Sequence, residues 1–274
     1  MSPTQDWLNV HRGTAPLLIS LPHTGTAFPD GLLARYASPW LARRDTDWWI
    51  ETLYDFAAGL DASVVRTALS RSVIDVNRDP SGVSLYPGQA TTELCPTTTF
   101  DGEELYEPGA KPDEAEIARR RAAYFEPYHQ ALSAEIAHLG CRHETVVVYD
   151  CHSIRSVIPR LFEGTLPHFN IGTNGGATCA PVLSEAIEAI CRASGRETIV
   201  NGRFKGGFIT RHNGRPAEGV HAVQMELACR GYIDEPFGPV TPDTWPVAYD
   251  TVYAAPMRDT LRKILQACLD FARG

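Results

Sequence analysis

The segment Thr145 to Ile154, T-V-V-V-Y-D-C-H-S-I, places a run of β-branched residues directly before a cluster of polar side chains. Because the run shows no polar alternation, it predicts a strand that is covered on both faces, as in an α/β sheet. Asp150 and His152 fall at the carboxyl end of this strand and share one side of it. Ligands of open α/β sheets bind outside the carboxyl ends of the strands, so this pair predicts a functional site.

His152 is a candidate metal ligand, because a neutral imidazole is the commonest metal-binding side chain. Ligating histidines usually donate their second ring N–H to a carboxylate or carbonyl, and Asp150 is predicted to accept that hydrogen bond. The alternative is a structural histidine held by hydrogen bonds. A cysteine hydrolase that uses Cys151 with His152 is disfavoured, since adjacent strand residues face opposite sides and the thiol points away from the imidazole.

The composition describes a chain that can bury a full core, since 43% of its 274 residues are hydrophobic and 21% are charged. No linker interrupts it, and a single domain over residues 1–274 is predicted. The net charge of −8 and the pI near 5.6 argue against nucleic acid or an anionic membrane as the partner. No apolar run of about 18 residues and no N-terminal signal pattern occurs, which predicts a cytoplasmic protein.

The seven cysteines include no C-x-x-C pair, which fits free thiols in a reducing compartment better than a disulfide framework. Cys151 and Cys229 are therefore predicted to be packing residues.

A second histidine follows a second apolar strand. Pro16 to Leu21 predicts a short strand, and the turn P-H-T-G after it carries His23. The turn can aim this imidazole back over the strand end, and the alternative is a histidine in solvent. Asp45 and Asp47 open a segment with apolar residues at helical spacing. Either aspartate can cap that helix or act as a metal ligand.

Two arginines follow a predicted strand from Leu60 to Leu69. The next residues, 70–79, read S-R-S-V-I-D-V-N-R-D, and Val73 to Arg78 predicts a short alternating strand. Arginine is well suited to binding carboxylates and oxyanions, so Arg71 and Arg78 predict a carboxylate clamp, with surface salt bridges as the alternative.

Further elements follow from periodicity and from turn residues. We predict a long surface loop at Pro87 to Pro112, a helical region from Asp113 to His138 interrupted at Pro127, a strand at Phe169 to Gly172, a helix at Pro181 to Ala193, an extended segment at Glu197 to Asn201, and one or two surface helices from Pro246 to Arg273.

Two late segments carry candidate site residues. Gly206 and Gly207 permit the backbone to approach a ligand closely, and Arg211 adds positive charge beside them. His221 to Leu227 alternates as a strand, with Glu226 as an acid among apolar residues. A buried carboxylate is costly unless it is paired or functional, so Glu226 is a candidate catalytic residue.

Six of these motifs, in one order, resemble the N-formylglutamate amidohydrolases, also called N-formylglutamate deformylases, of bacterial histidine degradation. The likeness extends from about Pro16 to about Gly231. The motifs are P-H-T-G at 22–25, D-T-D-W at 45–48, S-R-S-V-I-D-V-N-R at 70–78, D-C-H-S-I at 150–154, G-G-F-I-T at 206–210 and G-V-H-A-V-Q-M-E-L at 219–227.

The resemblance implies a fold and a reaction. The family is similar to zinc carboxypeptidases and to the aspartoacylase and succinylglutamate desuccinylase group, which implies an α/β fold with a three-layer mixed sheet flanked by helices. The implied reaction is hydrolysis of N-formyl-L-glutamate, a small-molecule substrate, to L-glutamate and formate. A related N-acyl acidic compound, of the N-formylaspartate or N-formylmaleamate type, stays open as the substrate. A non-catalytic binding module for acidic metabolites is the other alternative.

The resemblance also implies a site for zinc or another divalent ion. The relatives have an H-x-x-E ligand pair, but Thr26 stands three residues after His23. Asp47 is therefore the predicted carboxylate ligand beside His23 and His152, with Asp45 as the alternative. Two imidazoles and one carboxylate leave a coordination position for water, as in catalytic zinc sites.

The remaining implied roles concern the substrate. Arg71 is implied to polarise the carbonyl group and to hold the oxyanion with zinc. Glu226 matches the catalytic glutamate of the relatives and is implied to take a proton from water and to pass it to the leaving amine. Asn77, Arg78 and Arg211 are the candidates for binding the substrate carboxylates.

Overall fold

The valine-rich segment forms the centre of a seven-stranded mixed sheet in the computed structural model, which describes residues 6–83, 88 and 90–274. The N-terminal residues 1–5 and Pro87, where the predicted surface loop begins, lie outside the described residues. The strands are β1 (Leu8–His11), β2 (Leu17–Leu21), β3 (Ser63–Thr67), β4 (Val146–Ile154), β5 (Phe169–Gly172), β6 (Thr198–Val200) and β7 (Val220–Ala228).

The strand order across the sheet is β1-β3-β2-β4-β7-β5-β6. The four central strands β3, β2, β4 and β7 run parallel to one another. The outer strand β1 is antiparallel to β3, and β5 is antiparallel to β7. The carboxyl ends of the four central strands therefore meet at one edge of the sheet, which is where an open α/β sheet binds its ligands.

The α-helices are α1 (Leu41–Arg44), α2 (Ile50–Leu53), α3 (Glu114–Arg120), α4 (Glu126–Gly140), α5 (Pro181–Ala193), α6 (Phe208–Asn213) and α7 (Thr251–Arg273). Short 3₁₀ helices lie at Leu33–Arg35, Asp55–Leu60, Asn174–Gly176, Pro216–Glu218 and Cys229–Gly231, and a π-helical turn at Arg121–Phe125 joins α3 to α4.

Both faces of the sheet are covered by helices. Leu17 and Ile19 of β2 pack in one apolar cluster with residues of α2, α5 and α7, while Leu18 between them packs in a second cluster with residues of α4 and α6. Alternate residues of a strand point to opposite faces, so these two clusters lie on opposite sides of the sheet. This is why the central strands read as continuous hydrophobic runs.

Most predicted elements are confirmed. The strand at Phe169 and the helix at Pro181 have the predicted bounds. The helical region after Asp113 is confirmed as α3, a π-helical turn and α4, with Pro127 in the first turn of α4. The last helix, α7, is not confined to the surface, because one of its faces is buried in the core.

The predicted strand from Val73 to Arg78 is wrong. These residues form consecutive turns rather than an extended segment, and Asp75, Asn77 and Arg78 do not alternate between two faces. The turns are stabilised from within, since Asp75 Oδ1 accepts a hydrogen bond from the backbone N–H of Asn77 at 3.0 Å.

In the described part of the chain, no helix is both long and apolar enough to cross a membrane. All seven cysteines are free, and Cys151 and Cys229 are buried as predicted.

Candidate metal centre and active site

Three predicted metal ligands meet at the carboxyl edge of the sheet. His23, Asp47 and His152 each offer a ligand atom, and these atoms all lie within 4.8 Å of one another. Each residue is at most 2% exposed. The solvent-exposed interpretation of His23 is therefore wrong.

The turn after β2 brings His23 to this position. Gly25 pairs with Ser70, beyond the end of β3, and a Cβ atom at Gly25 would lie 2.3 Å from the backbone of Ala68. Only glycine permits this close approach. The turn is thereby held beside the segment that follows β3, and Asp47 is tied to it because its N–H donates to the carbonyl oxygen of His23 at 3.0 Å.

The ring nitrogens of both histidines are arranged as in a metal centre. The Nδ1 atoms of His23 and His152 lie 3.7 and 3.1 Å from Oδ2 of Asp47. The Nε2 atoms lie 2.7 Å from Asp75 and 2.9 Å from Asp150. Metal-ligating histidines usually donate their second N–H to a carboxylate in this way, which leaves the other nitrogen to bind the ion.

The buried polar atoms of this cluster fit a cation. Nδ1 of His23 is buried and has no hydrogen-bond partner in the described structure, which is costly unless another ligand satisfies it. Two imidazoles and one carboxylate form a donor set typical of catalytic zinc sites.

The charges around the cluster also favour a cation. Burial opposes protonation of His152, but the carboxylates of Asp150 and Asp47 outweigh it and raise its pKa well above the ordinary value. Burial alone would raise the pKa of Asp47, but a hydrogen bond from His152 and the nearby imidazole of His23 lower it below its ordinary value. The site thus stabilises positive charge next to an ionised aspartate.

Asp45, the alternative ligand, serves a different purpose. Its Oδ2 accepts the N–H of Phe100 at 2.7 Å, and its Oδ1 lies 3.5 Å from Nη2 of Arg155. It ends α1, whereas Asp47 precedes α2 without capping it by its side chain. Helix capping therefore explains neither aspartate, and Asp45 anchors a loop.

Asp75 is a candidate site residue that the sequence analysis did not single out. Its Oδ1 contacts His23, and its Oδ2 accepts a hydrogen bond from Nη2 of Arg71 at 2.6 Å. Burial would raise the pKa of Asp75, but Arg78, His23 and Arg71 together hold it well below its ordinary value. The sequence signal for Asp75 was its position two residues before the candidate residue Asn77. That signal was lost because Val73 to Arg78 was predicted to be a strand, which places Asp75 differently from the observed turns.

Arg71 lies between the metal cluster and its supporting carboxylate. Besides its bond to Asp75, its Nη1 lies 3.4 Å from Oδ1 of Asp47. The ring of Phe100 covers the guanidinium at 4.7 Å from Cζ. Arg71 is thus fixed on three sides and is not the surface salt bridge considered as the alternative.

A cavity opens beside this cluster. Its lining includes His23, His152, Arg71, Asn77, Arg78 and Glu226, which are six of the eight predicted site residues. Arg211 is not among its lining residues within the described part of the chain. The Nε atom of Arg211 donates to the carbonyl oxygen of Gly206 at 2.8 Å.

A different arginine, Arg203, lines the cavity instead, eight residues before Arg211. Its Nε and Nη2 donate to the carbonyl oxygens of Leu161 and Ala90 at 2.7 and 2.9 Å. Arg78 donates to the carbonyl and hydroxyl oxygens of Thr92, both at 3.1 Å. The sequence offered no motif that separates Arg203 from other surface arginines.

The paired glycines accommodate a side chain. A Cβ atom at Gly207 would lie 2.5 Å from the amide of Asn77. Asn77 Oδ1 accepts the N–H of Ile209 at 2.8 Å, and its Nδ2 lies 3.2 Å from Oδ2 of Asp150. The absence of a side chain at Gly207 therefore leaves room for Asn77 to donate a hydrogen bond to Asp150, the carboxylate that contacts His152.

Glu226 lies opposite His152 in the register of the parallel strands β7 and β4. Register partners point to the same face, so the carboxyl group lies beside the imidazole. Burial raises the pKa of Glu226 to about 8, although the neighbouring His152 opposes the shift. Gln224, another residue that the sequence reasoning missed, donates a hydrogen bond to Oε2 of Glu226 at 3.2 Å.

The cysteine alternative finds no support here. Cys151 packs in the apolar cluster on the opposite face of the sheet from His152, and burial raises the pKa of its thiol well above the ordinary value. A reactive cysteine needs a lowered pKa.

Comparisons with known proteins identify the family of the chain. The family model of N-formylglutamate amidohydrolase matches residues 15–233. An N-formylglutamate deformylase of Pseudomonas aeruginosa is 44% identical over 267 residues, which cover 97% of each chain. A protein of the same name from Pseudomonas putida is 44% identical over 96% of this chain and 95% of its own.

Two solved structures share the fold. The N-formylglutamate amidohydrolase of Ralstonia eutropha JMP134 aligns with a TM-score of 0.78 and 22% identity, over 97% of this chain and 98% of its own. A gene product of Agrobacterium tumefaciens aligns with a TM-score of 0.71 and 19% identity, over 98% and 96%. The match of the family model over most of the chain, together with relatives at 44% identity, shows that the protein belongs to the N-formylglutamate amidohydrolase family of hydrolases.

Proposed function

We propose that this protein is a metal-dependent deformylase that hydrolyses N-formyl-L-glutamate to L-glutamate and formate. The observation that carries the proposal is the buried cluster of His23, Asp47 and His152, with Glu226 and Arg71 in the same cavity. The relatives named N-formylglutamate deformylase support the substrate. In the reaction, the amide C–N bond breaks, a C–O bond to water forms, and one proton moves from water to the leaving amine.

The proposed cofactor is a zinc ion or another divalent ion held by His23, Asp47 and His152. Such an ion supplies a Lewis acid and lowers the pKa of water. Asp75 and Asp150 hold the two imidazoles so that their Nδ1 atoms face Asp47.

Glu226 is the proposed general base and acid. It would accept a proton from the attacking water and donate it to the leaving amine nitrogen. Its raised pKa suits it to holding this proton between the two steps. Because positive charge nearby favours the carboxylate, a cation beside His152 would lower this pKa and prepare Glu226 to accept the proton.

Arg71 is the proposed donor to the carbonyl oxygen of the formyl group. Asp75 and Asp47 fix its guanidinium before the substrate arrives. Donors that are already in position stabilise the developing negative charge without a further cost of reorganisation.

Arg78 and Asn77 are the proposed carboxylate-binding residues that line the cavity. We propose Arg203 in place of Arg211 as the further arginine, since Arg203 lines the cavity. Planar guanidinium groups bind carboxylates with two parallel hydrogen bonds, which gives specificity for acidic substrates.

Three broader interpretations are part of the proposal. The three-layer arrangement is supported by the two core clusters on opposite faces of the sheet, and its likeness to zinc carboxypeptidases follows from the family resemblance. The place of the reaction as the last step of a histidine degradation route follows from the family resemblance, and a cytoplasmic location fits the free thiols.

The test is an assay of the free amino acid released from N-formyl and N-acetyl amino acids, with formate measured for the N-formyl compounds, together with metal analysis of the purified protein and a matched assay after chelation. We expect formate release from N-formyl-L-glutamate, loss of activity on chelation, and recovery when the divalent ion is returned. Full turnover by a metal-free preparation would contradict the metal-dependent mechanism. Binding of N-formyl-L-glutamate without formate release would favour a binding module.

A further inference from the structure

One wall of the cavity is formed by an aromatic ring next to the proposed reacting group. Phe100 lines the cavity together with Arg71, His152 and Glu226. Its ring centroid lies 4.7 Å from Cζ of Arg71, and the side chain is 6% exposed. Any group bound beside the Arg71 guanidinium on this side therefore meets the ring.

Charged side chains hold the backbone of Phe100 and of the next residue, Asp101, in place. Asp45 accepts the N–H of Phe100 at 2.7 Å, and Arg160 donates to its carbonyl oxygen at 3.5 Å. Arg44 and Arg155 form ion pairs with Asp101, at 2.9 and 2.5 Å.

The turn around Phe100 is also closed by its own hydrogen bonds. The N–H of Gly102 donates to Thr99 at 3.0 Å, and the N–H of Thr99 donates to Glu103 at 2.9 Å. These interactions fix the position of the Phe100 backbone beside the cavity.

The far side of the ring is packed. Phe100 belongs to an apolar cluster with Ile154, Ile158, Leu166 and Ala228, and Ile154 also lines the cavity. Protein interiors are close-packed, and forcing an extra methylene group into such a site is destabilising. The wall formed by Phe100 and Ile154 thus resists displacement by a larger ligand.

We propose that Phe100 determines the size of the acyl group that the site accepts, so that a formyl group fits and an acetyl or larger acyl group meets the ring. This inference rests on the proposed function, since it uses the formyl oxygen beside Arg71. With the acyl oxygen beside Arg71, the hydrogen or alkyl group on the acyl carbon lies close to the ring of Phe100. A formyl group has a hydrogen atom there, whereas an acetyl group has a methyl group.

The test compares kcat/KM for N-formyl-, N-acetyl- and N-propionyl-L-glutamate in the wild type, Phe100→Leu and Phe162→Leu. Phe162 packs at the edge of the same apolar cluster but does not line the cavity within the described residues, so it is a matched control. A methyl group in a closed pocket is worth roughly 10- to 200-fold in discrimination. We expect the formyl-to-acetyl ratio of kcat/KM to fall by about 10-fold or more in Phe100→Leu and to be unchanged in Phe162→Leu.

A milder variant protects the test against misfolding. Ile154→Val removes one methyl group from the same wall, and it should shift the ratio in the same direction by a smaller factor. An unchanged formyl-to-acetyl ratio of kcat/KM in Phe100→Leu or Ile154→Val, in metal-loaded protein that still releases formate, would overturn the inference. The inference would also be overturned if the wild type had the same kcat/KM for N-acetyl-L-glutamate as for N-formyl-L-glutamate. Failure of the proposed function is a different result, because the wild type would then release no L-glutamate from any of the three substrates.

Discussion

Asp75 accepts a hydrogen bond from Nε2 of His23 at 2.7 Å and, with its other oxygen, one from Nη2 of Arg71 at 2.6 Å. One buried carboxylate therefore orients both a candidate metal ligand and the proposed oxyanion donor. Nη1 of Arg71 also lies 3.4 Å from Oδ1 of Asp47. Arg71 is therefore connected to the candidate metal ligands twice, directly through Asp47 and through Asp75 to His23. The candidate metal centre and the group proposed to polarise the substrate are thus positioned as one unit.

Replacing Asp75 by Asn should weaken metal binding. The amide can no longer supply a charged acceptor to His23, and removing such a supporting carboxylate typically costs about 10- to 100-fold in metal affinity or activity. Asp150→Asn, which alters the same kind of contact at His152, should weaken metal binding to a similar degree. Chelator competition measures both affinities, and Asp243→Asn at an exposed position serves as the control.

Asp75→Asn should also differ from Asp150→Asn in kinetics. Asp75 holds Arg71, so its replacement should lower kcat/KM even at saturating metal, whereas Asp150→Asn should recover more of its activity there. Equal behaviour of the two variants at saturating metal would show that the link from Asp75 to Arg71 has no catalytic importance.

Removal of a ligand should remove the metal. His23→Ala and His152→Ala each delete one of three candidate ligand atoms, and we expect both variants to lose metal and activity together. His11→Ala, on the exposed edge strand β1, is the matched control and should keep both. Metal content by elemental analysis checks this prediction, and a His152→Ala protein with full metal content would contradict the assigned ligand set.

Glu226→Gln should separate catalysis from metal binding. The amide keeps the size of the side chain but cannot take up a proton, and general acid–base catalysis contributes about 10²- to 10⁴-fold. We expect kcat to fall by at least that range while metal content stays unchanged. If the metal were lost as well, Glu226 would be a ligand rather than the base, and a native kcat would remove it from the mechanism.

The arginines should differ in their effect on substrate binding. Arg78→Ala and Arg203→Ala remove guanidinium groups that line the cavity, and leaving a buried carboxylate unpaired costs about 2–4 kcal/mol in kcat/KM. Arg211→Ala should have a smaller effect, since Arg211 does not line the cavity within the described residues. Steady-state kinetics on N-formyl-L-glutamate and N-formyl-L-leucine check this, because both carry an α-carboxylate and only the first carries a side-chain carboxylate. An arginine that binds the side-chain carboxylate should affect the glutamate compound alone, whereas one that binds the α-carboxylate should affect both substrates. A larger loss for Arg211→Ala would restore that residue to the site.

His129 should contribute a pH-dependent component to stability. Burial lowers its pKa from 6.5 to about 4, its Nε2 donates to the carbonyl oxygen of Val76 at 2.8 Å, and its buried Nδ1 has no hydrogen-bond partner in the described structure. Between pH 6.5 and about 4 the unfolded chain binds a proton that the folded chain does not, so stability falls as the pH falls through this window. The full effect is at most about 3 kcal/mol.

His129→Gln keeps a donor for Val76 but does not titrate. Denaturant unfolding of both proteins at several pH values should therefore show a smaller loss of stability in the variant between neutral pH and pH 4. Parallel stability curves for the two proteins would show that His129 is not the source of this component.

The sequence by itself predicted the α/β fold class and most of the candidate site. The apolar run before Asp150 predicted a central parallel strand, because only a strand covered on both faces lacks polar alternation. His23 and His152 were identified because each follows an apolar strand at its carboxyl end, where the geometry of α/β sheets brings ligands together. Glu226 was identified because an acid in an apolar strand is costly unless it has a function.

Only the tertiary structure decided which of several similar residues lie at the candidate site. Asp45 and Asp47 are two residues apart and chemically identical, and the choice depends on which carboxylate the fold places beside His152. Arg203 and Arg211 have the same side chain and lie eight residues apart, but only Arg203 lines the cavity among the described residues. Asp75 was missed because its role depends on contacts with His23, 52 residues away. Propensity and periodicity describe local conformation, whereas a buried site is formed by side chains that the packing of distant segments brings together.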